Sequence, residues 1–195
     1  MQTAGRRARL AALFVFVVAS PVFGQQPGVS DERLKVCAAC HGADGNSQTP
    51  GVPSIAGQPR LFLETQLVLT REGLRSTPAM QSAVRGLSDR EITAIANHFS
   101  ALPIRPTPGE TDAPLARRGR EVAEKYRCGI CHLKDYRGQK QIPALAGQRE
   151  EYLVATMIAM RDKPPPGVDT QMSAALYGLA DADIRALAHF LARLR

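Results

Sequence analysis

Apolar residues recur at every third or fourth position in four stretches of the chain, and the stretches come in two pairs. RLFLETQLVLTR (60–71) and EEYLVATMIAMR (150–161) each lie one residue after a Gly-Gln dipeptide. LSDREITAIANHFSAL (87–102) and ADADIRALAHFLARL (180–194) each close one half of the chain. This spacing predicts amphipathic helices. Ser88 with Glu91 reads as a capping box, and it sets Ile92, Ile95, Ala96 and Phe99 on one face. SDERLKVC (30–37) offers Ser30 as an N-cap with acids in the first turn, and LARRGREVAEKYRC (115–128) is its counterpart. Gly- and Pro-rich text separates these segments. No stretch sustains strand alternation, so the fold class is all-α.

The pairing extends beyond the helices. CAACH begins at Cys37 and CGICH at Cys128; PSIAGQ begins at Pro53 and PALAGQ at Pro143; MQSAVRGLSDREI begins at Met80 and MSAALYGLADADI at Met172. The order is kept, and the offset drifts only as small loop insertions would make it. Two tandem domains follow, 25–102 and 115–195. Between them 103–114, with Pro103, Pro106, Pro108 and Pro114, reads as a semi-rigid extended linker. Halves this small build marginal cores, so each needs a staple.

Residues 1–24 stand apart. Arg6, Arg7 and Arg9 precede a short apolar run, Leu10 to Ala19, and small residues lead to a cleavage point near Gly24. This is the pattern of a secretory signal that directs the mature chain to the periplasm. An uncleaved anchor is the alternative, but the run is shorter than the ~20 residues of a spanning helix. Removing the leader leaves 22 basic against 18 acidic residues, net +4. No basic run interleaved with aromatics occurs, so nucleic acid is excluded as a partner.

All four cysteines lie in the two C-x-x-C-H motifs. A lone C-x-x-C pair could be a redox disulfide or half a zinc site. The redox reading needs a βαβ context, which is absent. A zinc site joining both halves would leave His41 and His132 unused. C-x-x-C-H reads as c-type haem attachment. Cys37 with Cys40, and Cys128 with Cys131, would each bond one haem covalently, with His41 and His132 as iron ligands. For the second axial position Met80 and Met172 are the candidates, since they recur at matched places in polar text that reads as loop. Met157 and Met160 read as core, although Met160 is a competitor close to Met172. His98 and His189 are rival ligands, but in the aligned final helices they do not match each other, and both read as packing residues. A carbonyl in each P-x-x-A-G-Q loop is a candidate partner for the ligating histidine's other nitrogen, while a rigid turn would equally explain the repeat. Arg60, Arg75 and Arg149 are candidates to meet haem propionates.

Together CAACHGADGNS, PSIAGQ, AMQSAVRGLSDREITAIANHF, CGICH, PALAGQ and QMSAALYGLADADIRALAHFL make the chain resemble a di-haem class I cytochrome c of the cytochrome c4 family. The resemblance spans nearly the whole mature chain. It implies two cytochrome c folds related by pseudo-twofold symmetry, each with a His/Met-ligated haem c, in a periplasmic carrier that passes electrons to a terminal oxidase or other acceptor. Two departures fall in the second copy. Leu133 replaces the glycine that follows C-x-x-C-H in the family, and the text before Met172, which includes RDKPPPGVDT, is two residues longer than its counterpart.

Closed His/Met coordination leaves no substrate position, so the expectation is an electron-transfer protein rather than an enzyme. Its partners would be redox proteins, a terminal oxidase or a dehydrogenase, with peripheral membrane association as a further possibility. The alternatives are a cytochrome subunit of a periplasmic sulfide or alcohol dehydrogenase, a di-haem peroxidase and a haem sensor.

Overall fold

The computed structural model describes residues 29–75, 77–164 and 170–194. The expected leader, and residues 165–169 of the longer text before Met172, lie outside the described residues. Helices account for all the regular structure there, apart from one isolated antiparallel bridge between Gln139 and Ile142.

In the first half, Ser30 caps α1 (Asp31–His41) by accepting the Arg33 N–H. Pro59 precedes α2 (Arg60–Arg71). Pro78 opens α3 (Pro78–Val84) at a position where its missing N–H is no loss. The Ser88–Glu91 capping box starts α4 (Asp89–Ser100). Helix α2 lies against α3 and α4. Leu63, Val84, Leu87, Ile92, Ile95, Ala96 and Phe99 form the core between them, each large side chain contributing about 1.5–3 kcal/mol of burial.

The second half repeats this with α5 (Ala113–Lys125), α6 (Gly129–His132), α7 (Glu150–Asp162), α8 (Thr170–Leu176) and α9 (Asp181–Ala192). Helix α9 packs on α5 and α7, and its nearly continuous apolar run is buried. Gly119 makes the α5–α9 approach possible: a Cβ there would overlap the Ala186 carbonyl oxygen.

The motif segments differ between the copies. In the first, α1 runs unbroken through Cys37, Cys40 and His41. In the second, α5 stops at Lys125, Arg127 turns left-handed (φ +56°), and Cys128 N–H returns to Ala123 O at 3.0 Å before α6 begins. That is a Schellman-type stop. After the histidine the two backbones coincide again. Gly42 and Leu133 have φ of +85° and +67°, and Gly45 and Tyr136 have +73° and +57°. The carbonyl of Gly45 accepts the N–H groups of Ile55 and Ala56, and the carbonyl of Tyr136 accepts those of Leu145 and Ala146.

The segment between the halves is extended, as its prolines require, and it is fastened. The Asn46 side chain donates to Pro103 O and accepts from Arg105 N–H. Thr107 is buried, with its N–H on Ala192 O and its hydroxyl within 3.3 Å of Gly147 O and 3.1 Å of Gln148 O. Asp112 then caps α5 by accepting the Leu115 N–H.

Candidate metal centres

His41 ends α1 and is 5% exposed; His132 ends α6 and is 6% exposed. The Nδ1–H of His41 donates to Pro53 O at 2.8 Å, and that of His132 to Pro143 O at 2.9 Å. Each carbonyl lies in a P-x-x-A-G-Q loop, where the sequence suggested one. Burial pushes both imidazoles below their ordinary pKa, and the carbonyl bond only partly offsets this. Both rings are therefore neutral near pH 7. With the proton on Nδ1, each Nε2 carries a free lone pair.

In the first half that lone pair meets a second donor. His41 Nε2 faces Met80 Sδ at 3.5 Å. Neither atom has a proton to offer the other, so this is not a hydrogen bond. An imidazole nitrogen and a thioether sulfur that face each other are donors of the kind that would hold an electrophile such as haem iron. None of the four cysteines is in a disulfide: Cys37 and Cys128 are half-buried against the two cores, and Cys40 and Cys131 are exposed. Burial raises the pKa of Cys37 and of Cys128. The donor set therefore fits a thioether-bound haem in the first half.

In the second half, His132, Pro143 and the two cysteines repeat the arrangement. Met172 and Met160 both pack partly buried against that core. The close approach seen between His41 and Met80 has no equivalent among the described residues there. One expectation needs correcting. Met80 and Met172 are not on loops: they sit on α3 and α8, seven-residue helices. The exposed residues of each short helix are small or polar, and its one buried residue is Val84 or Leu176.

The rival histidines are otherwise engaged. His98 is half-buried and stacks edge-on against Phe99. His189 is buried, accepting Asp112 N–H at Nε2 (3.0 Å) and donating from Nδ1 to the Glu150 carboxylate (3.1 Å). Of the three arginines, Arg60 pairs with Glu64 on the surface, and Arg75 reaches Gln66 and Tyr152. Arg149 is 8% exposed; one terminal nitrogen bonds Glu151, and its Nε is buried without a partner. A buried cationic donor of that kind suits an anionic carboxylate.

Nothing local in the sequence points to a role for the glutamines of the repeated loops, yet they join the halves. Gln148 Nε2 donates to Ser54 O at 2.9 Å, and its Oε1 accepts Ser54 N–H at 2.7 Å. Gln58 makes the same two bonds to Ala144, both 2.9 Å. Ser54 and Ala144 are counterparts, so the reciprocity is that of a twofold axis. Their recurrence at matched places was the available signal.

Two helical units, each with a thiol pair, a buried neutral histidine and a carbonyl behind it, have the build of c-type cytochrome domains. Comparison with known families agrees. The model for "Cytochrome C oxidase, cbb3-type, subunit III" matches residues 33–98, and that for "Cytochrome c" matches 116–195. Cytochrome c4 of Pseudomonas aeruginosa is 30% identical over 82% of this chain and 84% of its own length. A protein of Stutzerimonas stutzeri described as a thiosulfate dehydrogenase electron acceptor is 32% identical over 96% of this chain and 93% of its own. The crystal structure of reduced cytochrome c4 from Pseudomonas stutzeri superposes with a TM-score of 0.75, at 27% identity, over 87% of this chain and all of that one. The chain belongs to the cytochrome c4 family: it is a c4-like electron carrier with two covalently bound haem c groups.

Proposed function

We propose that this chain shuttles single electrons between respiratory proteins in the periplasm and delivers them to a terminal oxidase. In this reading Cys37 and Cys40 bind one haem and Cys128 and Cys131 the other, and the axial pairs are His41 with Met80 and His132 with Met172. The facing of His41 Nε2 and Met80 Sδ carries the reading. When bound, each haem supplies a reversible one-electron couple. The protein's own residues hold that couple in place: Pro53 and Pro143 fix the orientation of each imidazole, burial keeps both imidazoles neutral, and the packed cores exclude water. Held by a histidine and a methionine in each half, the irons would have no position left for a substrate, so the protein would act as a carrier and not as an enzyme.

A redox titration with optical detection tests this. Two one-electron steps of low-spin haem are expected, with no carbon monoxide binding to the reduced protein at neutral pH and no peroxide turnover. Carbon monoxide binding or peroxide turnover would reverse the assignment. The relative in Stutzerimonas stutzeri favours a second reading, in which the donor is a thiosulfate-oxidising dehydrogenase. Stopped-flow mixing of the oxidised protein with such a dehydrogenase and thiosulfate separates the two: rapid haem reduction supports the second reading, and its absence leaves the first.

A further inference from the structure

The peptide group joining Pro53 to Ser54 is engaged at both ends. Its carbonyl oxygen accepts Nδ1–H of His41, and its N–H donates to Oε1 of Gln148 from the other half. The peptide group joining Pro143 to Ala144 does the same between His132 and Gln58. Each glutamine is almost fully buried, Gln58 at 5% and Gln148 at 4% exposure. Each amide is also fixed in orientation, because reversing it would set an NH2 against an N–H and a carbonyl against a carbonyl. Gln148 Oε1 accepts Arg149 N–H as well, whereas residue 59 is a proline and brings no such donor to Gln58.

We propose that Gln58 and Gln148 are crossed positioning residues, each setting the electron-donating strength of the iron-ligating histidine in the opposite half. A peptide group whose N–H is drawn toward an acceptor carries more negative charge on its oxygen. That oxygen then draws the imidazole Nδ1–H more strongly. The ring becomes a better donor at Nε2, which favours the ferric state and lowers the reduction potential. The reduction potential of each haem thus depends on a side chain of the other domain. This rests on ligation by His41 and His132, and the low-spin optical spectrum reads ligation separately from potential.

Gln148→Leu in the holoprotein removes the acceptor at Ser54. It is expected to raise the midpoint of the first-half haem while the second-half haem stays close to its original value; Gln58→Leu should do the reverse. The shift should change the partition of one electron between the haems by about two- to tenfold, the span of one hydrogen bond's net worth, with about 59 mV per tenfold. Gln148→Glu keeps an oxygen acceptor and should hold the first-half midpoint at or below its original value. Hyperfine-shifted NMR signals of the oxidised protein assign each step to its half. Equal movement of both midpoints, movement only of the haem in the mutated half, or no movement would overturn the proposal. If a variant fails to take up haem, the unaltered reduced protein supplies the test. Slow hydrogen exchange at the Ser54 and Ala144 amides is expected there, and fast exchange at either would overturn it.

Discussion

Leu133 stands in the backbone conformation that Gly42 holds in the first half, with φ +67° and ψ 164° against +85° and 149°. That corner of conformational space is essentially glycine's, and a side chain there costs on the order of 1–3 kcal/mol. The turn after each histidine must bring a later carbonyl, Gly45 or Tyr136, into reach of the loop that holds the imidazole. The second half keeps the turn and bears the strain.

Leu133→Gly should therefore stabilise the holoprotein by about 1 kcal/mol, after allowing for the greater freedom of glycine in the unfolded chain. Gly42→Leu should destabilise it by more than that, because a Cβ at Gly42 would lie 2.7 Å from Asn46 O. Thermal unfolding of the two variants checks the asymmetry. Equal and opposite effects would show that the two turns are equivalent and that Asn46 adds no crowding at Gly42.

Met80→Ala should remove about half of the weak near-infrared band of Met-ligated ferric haem, as the proposed ligation by Met80 and Met172 requires. Met172→Ala should remove the other half. A whole band in Met172→Ala would transfer the ligand role to Met160, which packs against the same core.

His189→Leu should leave both haem spectra unchanged and lower stability by about 0.5–1.5 kcal/mol, the net worth of the hydrogen bond lost from Asp112 N–H. A change in axial-ligand spectrum would instead make His189 an iron ligand. Denaturant titration followed in the Soret region reads both outcomes.

Asp44 gives a pH dependence. Its carboxylate accepts the Asn46 N–H and pairs with Arg105, and these contacts hold its pKa below the ordinary 3.8, with the Asn46 backbone bond the largest cause. A depressed folded-state pKa means stability that is fully present above the unfolded value and lost as pH falls through the folded one. The difference in melting temperature between the parent and Asp44→Ala should be steady from pH 7 to pH 5 and shrink below pH 4. A difference that persists undiminished at pH 2 would assign the effect to packing.

Periodicity made α2 and α4 legible, because each runs for three turns and buries one stripe. The apolar stripe of 60–71 matches the bounds of α2, and Ser88 with Glu91 marks the start of α4. Helices α3 and α8 were missed because seven residues give too few turns for a period to emerge, and Pro78 reads as a breaker although it starts the helix. The histidines and cysteines were visible through local spacing, and the carbonyl behind each imidazole through the repeat. Gln58 was not assigned because its partner is 86 residues away, and for Gln148 the separation is 94. His189 looked like a packing residue because nothing local announces that Asp112 and Glu150 converge on it.

Asn46 holds Pro103 and Arg105, and Thr107 holds the opposite shore, so the intervening stretch has almost no freedom to swing. Pro106, with its locked φ, is the residue left between the two attachments. A hinge needs backbone torsions able to turn, and here Pro106 locks φ while hydrogen bonds restrain the residues on both sides. The span an electron crosses inside the chain is then a fixed dimension of the molecule. Electron exchange between the two halves would then need no diffusive encounter and would be insensitive to dilution.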